Sequence, residues 1–76
     1  SIRYAVPRDA HIRIEVYSLL GQRIALLTDE LHTPGSYVRL WDGKNADGGN
    51  AASGVYFYRM AVDGVPLQTH KMLMLR

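Results

Sequence analysis

Seventy-six residues with no cysteine, 47% hydrophobic and 21% charged, describe one small globular domain that must hold its core without disulfides or thiolate-bound metal. The net charge is only +2, and the cations (Arg3, Arg8, Arg13, Arg23, Arg39, Lys44, Arg59, Lys71 and Arg76) are scattered among acids, which speaks against a nucleic-acid patch. No apolar run approaches the roughly 18 residues needed to span a bilayer, and Ser1-Ile2-Arg3-Tyr4 is not the start of a signal peptide, so an exported parent would carry its signal upstream.

The dominant period is two. Ile2, Tyr4 and Val6 alternate with Arg3 and Ala5 before Pro7 ends the run. Ile12, Ile14 and Val16 alternate with His11, Arg13, Glu15 and Tyr17, the pattern of a strand with one buried face. Gly21 is suited to the left-handed position that closes a short hairpin. A third strand is predicted over 23–27, with Ile24 and Leu27 as its buried residues. Thr28 to Pro34 reads as a polar loop ending in the breaker pair Pro34-Gly35. Ser36 to Trp41 is the fourth strand.

Asp42 to Ser53 is rich in Gly, Asn and Asp and reads as a long turn region, with room for a seventh short strand near Ala51-Ala52. Gly54 to Val62 is dense in β-formers and makes the fifth strand. Asp63-Gly64 between Val62 and Val65 is a type I′ hairpin signal. Gln68 to Arg76 is the last strand. No window carries an apolar stripe at helical spacing. The expected fold is therefore all-β, an antiparallel sandwich of six to seven strands. Its core is expected to include Ile12, Ile14, Val16, Leu40 or Trp41, and Phe57 or Tyr58.

The punctuation between strands is more specific. Tyr4-Ala5-Val6-Pro7 is followed by Val16-Tyr17, Gly21-Gln22-Arg23, Pro34-Gly35, Trp41-Asp42-Gly43, Asp47-Gly48 and Ser53-Gly54-Val55-Tyr56-Phe57-Tyr58-Arg59, ending in Lys71-Met72-Leu73-Met74-Leu75-Arg76. This order resembles the immunoglobulin-like family shared by type A C-terminal sorting domains of the bacterial type IX secretion system and the flagellar hook-capping protein. The resemblance implies an immunoglobulin-like or fibronectin III-like sandwich at the C-terminus of a larger exported protein, with residues 1–76 as one domain and Arg76 as its natural end. It implies that Gly54 and Tyr56 match a Gly-X-Tyr element on the penultimate strand. Lys71 matches the basic residue opening the last strand, and Arg76 the basic terminus; all four are expected recognition residues. In one respect the chain departs from the family. Arg39 and Tyr37 stand where apolar residues usually precede the tryptophan, so Val38 and Leu40 fall on the face opposite Trp41. Either a bulge re-aims Trp41, or Arg39 covers the sheet edge with its aliphatic stem.

Other chemistry finds weaker support. Two carboxylates between Asp42 and Asn50, without ligand spacing, favour turn chemistry over calcium. Tyr17, Tyr37, Trp41, Tyr56 and Tyr58 suggest a sugar-stacking platform, but aromatics on alternating strand positions suit core and cross-strand pairs better. His11, His32 and His70 lack metal-ligand spacing, and Ser18, Ser36 and Ser53 sit at turns without a nucleophile-elbow pattern. Met60, Met72 and Met74 read as core fillers, with an outward Met72-Met74 strip beside Lys71 as the alternative.

The reading is a non-catalytic sorting and surface-attachment domain without cofactor or metal, secreted or surface-bound by way of the periplasm. Its expected partners are outer-membrane secretion proteins and the parent's upstream domain, and the domain is expected to be monomeric with an edge strand free to pair. The alternatives are a structural assembly module, as in hook-capping relatives, or a carbohydrate-binding appendage of a secreted glycoside hydrolase.

Overall fold

A computed structural model describes residues 1–75. Six strands form, β1 (Ile2–Val6), β2 (Ala10–Tyr17), β3 (Arg23–His32), β4 (Gly35–Arg39), β5 (Gly54–Val62) and β6 (Val65–Met74). All pairings are antiparallel, in a two-stranded sheet β1-β4 and a four-stranded sheet ordered β3-β2-β5-β6. The expected β-sandwich is what the chain builds. Among the described residues there is no helix, and hence none long and apolar enough to cross a membrane.

β2 is the centre of the fold because its alternation is the cleanest. Ile12, Ile14 and Val16 are essentially inaccessible to solvent, each burial worth about 1.5–3 kcal/mol. Above them sit Ile2 and Val6 from the small sheet, and beside Val16 lie Ala25, Ala51 and Tyr56. The choices left open for the core resolve to Trp41 and Tyr58, which pack against it, whereas Leu40 is 76% exposed.

Five sequence expectations are corrected. Thr28 to His32 is not a loop: β3 runs on to His32, with Thr28 opposite Ile14 and His32 opposite Ala10. Register shifts on either side of Glu15 and Val16 leave Leu27 and Ile24 out of step, so Ala25, Thr28 and His32 are the buried residues of β3 while Ile24 and Leu27 are half-buried. β4 stops at Arg39 rather than Trp41. No seventh strand forms at Ala51-Ala52 among the described residues. The loop instead folds on itself, through a Lys44–Asn50 bridge and a bond from the Ala51 amide to the Gly43 carbonyl. The last strand begins at Val65, three residues early, because the hairpin turn is the two residues Asp63-Gly64 alone. Both have positive φ, 49° and 82°, as a type I′ turn requires. Gly21, at φ 83°, closes the β2–β3 hairpin as expected.

Candidate functional site

Gly54 opens β5 with φ near 150°, a backbone conformation that side-chain-bearing residues rarely adopt, although a Cβ there would meet nothing within 4 Å. Glycine is thus required by the backbone and not by a close neighbour. Two residues on, Tyr56 turns inward and is buried. Its hydroxyl donates a 2.6 Å hydrogen bond to the Ala52 carbonyl, the geometry of a tyrosine corner in immunoglobulin-like sandwiches. Its ring meets Trp41 edge-on at 4.9 Å between centroids, and the Trp41 indole N–H donates to the Lys44 carbonyl. Gly54 and Tyr56 therefore anchor the 42–53 loop onto the sandwich.

Lys71 lies elsewhere. It pairs with Phe57 across β5–β6 and is exposed, while Met72 opposes Tyr56 and packs with Met74 against the core. The outward methionine strip considered from the sequence does not form; the outer face of β6 carries Lys71 and Leu73 instead. The fold thus brings Gly54, Tyr56 and Trp41 together and puts Lys71 on the opposite face of the same hairpin. Arg76 lies outside the described residues.

The remaining outer face of the large sheet is a charge ladder. His11 Nε2 lies 2.7 Å from Asp29, and Glu15 receives Arg23 at 3.2 Å. Arg13 Nε approaches Glu15 at 3.5 Å without hydrogen-bond geometry. Arg59 donates to the Tyr17 hydroxyl and stacks over its ring at 5.2 Å. Tyr37, Trp41, Tyr56 and Tyr58 pack on the inner side, so of the five aromatics considered as a sugar platform only Tyr17 faces outward.

A second polar assembly escaped the sequence reading. Between the sheets, the buried His32 ring stacks at 4.2 Å on Tyr37, and Tyr4 stacks on both. The Tyr4 hydroxyl lies 2.7 Å from His32 Nε2. His32 Nδ1 lies 3.9 Å from Glu30. Arg39 points inward, donating to Thr28 Oγ1 and to Glu30, both at 3.0 Å. Arg39 thereby holds the inward position before Trp41, and no bulge re-aims the tryptophan. Burial pushes the Tyr4 phenol above its ordinary range, with the Arg39 guanidinium opposing that shift. The signal for this cluster was the Tyr4–Tyr37 alternation. His32 was missed because it lies beyond the predicted end of β3.

In the 42–50 loop, Asp42 Oδ1 accepts the Lys44 amide, and Asn45 Oδ1 accepts those of Asp47 and Gly49. These are turn contacts made by the oxygens a cation would need. Comparison with protein-family models, curated proteins and solved structures finds no match for this chain.

Proposed function

We propose that this domain is a non-catalytic sorting and cell-surface attachment module, recognised by type IX export machinery through the β5–β6 hairpin. The supporting observation is the division of labour among the motif residues. Gly54 and Tyr56 shape the base of the hairpin from inside, while Lys71 stands exposed on the edge strand where a partner can reach it. Tyr56 in this reading is a positioning residue, since its hydroxyl and ring are both engaged within the domain. The non-catalytic part draws on the polar groups already committed to structure. Ser18 Oγ accepts the Leu20 and Gln22 amides, and His32 is stacked against Tyr4 and Tyr37.

The test fuses the domain to a passive cargo in a host with a type IX system. The parent domain should carry the cargo to the cell surface, and Lys71→Ala should leave it in the periplasm while melting like the parent, since a surface change costs about half a kcal/mol or less. Normal export by both Lys71→Ala and a deletion of residues 71–76 would reject the reading. The free edges of β3 and β6 would then favour the second reading, a structural module that assembles by strand pairing.

A further inference from the structure

We propose that the free edge of β1 accepts an extended peptide of alternating apolar and acidic residues as a third strand of the small sheet. β1 pairs with β4 alone, so one side of Ile2–Val6 presents backbone N–H and C=O groups to no strand, a template for strand addition. Two strands also cannot roof four. With neighbouring strands about 4.8 Å apart, the inner face of the large sheet is left incompletely covered beside the Val6 end of β1. There a cleft of about 440 Å³ opens between Ala5, Val6 and Arg8 on one side and Met60, Val62 and Leu67 on the other. Leu67 remains 49% exposed in it.

The chemistry of the occupant follows from alternation and charge. An added strand would direct every second side chain down onto Met60, Val62 and Leu67, which calls for apolar residues. The intervening side chains would lie on the outer face beside Arg3, with Arg8 at the end of the cleft. Among the described residues no Asp or Glu lines this cleft, so the outward positions favour carboxylates. The same charges argue against a second copy of the chain. Two β1 edges related by a two-fold axis would bring like cations together across the seam. Lys71 is on the opposite face of β6, so this surface is independent of the export reading, and either can fail without the other.

The probe is a decapeptide of alternating valine and glutamate, with its valine–lysine counterpart as control, titrated into the isotope-labelled domain and followed by NMR. Saturable shifts should appear at the amides of Arg3 to Val6 and at the Leu67 methyls, with slowed amide exchange along β1. The valine–lysine peptide should bind at least about tenfold more weakly. Arg3→Glu with Arg8→Glu should reverse that preference, and Leu67→Glu, at a half-exposed site, should weaken binding of the glutamate peptide while the domain still melts cooperatively. A glutamate peptide N-methylated at alternate residues, in either phase, should not bind if N-methyls meet the edge; loss in one phase only identifies the pairing side. Absence of saturable shifts, shifts confined to the β3 or β6 edges, equal binding of both peptides, or full binding by both N-methylated forms would each overturn the proposal. Shifts along β1 on concentrating the domain alone would overturn it in favour of self-pairing.

Discussion

The Tyr56 hydroxyl donates to the Ala52 carbonyl, four residues upstream, at 2.6 Å. The bond spans the point where the 42–53 loop re-enters the large sheet, and Trp41, pressed edge-on against the same ring, holds the point where the chain leaves β4. One aromatic pair thus fixes both ends of the longest connection in the domain. A loop of this length is tolerable in a small sandwich because its closure is enforced at its base, and its interior is crossed by the Lys44–Asn50 bridge.

Tyr56→Phe keeps the ring against Trp41 and removes only the hydroxyl. It should cost about 1 kcal/mol, the net worth of a hydrogen bond, whereas Tyr56→Ala should cost about 3–5 kcal/mol by emptying the core beside Val16. Urea denaturation measures both. If Tyr56→Phe unfolds at the parent's midpoint, the corner contributes nothing net and the aromatic contact alone anchors the loop.

Ile14→Ala should destabilise the domain by about 2–5 kcal/mol, since the side chain is fully buried at the centre of β2. Leu40→Ala should change stability by about half a kcal/mol or less, because Leu40 faces solvent. The pair checks which face of each strand is inside. A large loss at Leu40 with a small one at Ile14 would invert the packing described above.

Tyr4 makes stability depend on alkaline pH. Its folded pKa is raised by burial, so on raising the pH the unfolded chain ionises at this residue first and the folded chain retains the proton. The contribution is fully present below the unfolded value of about 10 and is lost as pH rises through the folded pKa. The parent should therefore lose stability more steeply than Tyr4→Phe above about pH 10, and the difference between their denaturation free energies should be level between pH 7 and 9. Parallel profiles for the two proteins at alkaline pH would contradict this.

Calcium at millimolar concentration should leave the melting temperature of the domain unchanged. Asp42 and Asn45 already use side-chain oxygens to accept loop amides, and calcium needs six to eight oxygens. Thermal melts with calcium and with chelator check this. A rise of several degrees that the chelator reverses would show that the loop rearranges around the ion, since binding to the folded state alone raises stability.

Local patterns alone determined much of this fold. The alternation of Ile12, Ile14 and Val16 defined β2 and its buried face because nothing else in the chain competes with it. Asp63-Gly64 and Gly21 marked their turns because positive φ is a property of the residue and its immediate neighbours. Gly54 and Tyr56 stood out only through the family resemblance, and what Tyr56 does, bonding Ala52 and meeting Trp41, depends on how the long loop folds back.

The extent of β3 and the inner face of β4 were settled only by tertiary contacts. Thr28, Asp29 and Glu30 look like a loop in sequence, and Arg39 looks wrong for an inward position. Each makes sense with the other: Arg39 donates to Thr28 and Glu30, satisfying a buried hydroxyl, and the same extension carries His32 under Tyr4 and Tyr37. A pattern of hydrophobicity registers apolar burial and is blind to polar groups that enter the interior as pairs. The partners here are 9 and 11 residues apart and in different sheets, so their agreement appears only when the two sheets are brought face to face.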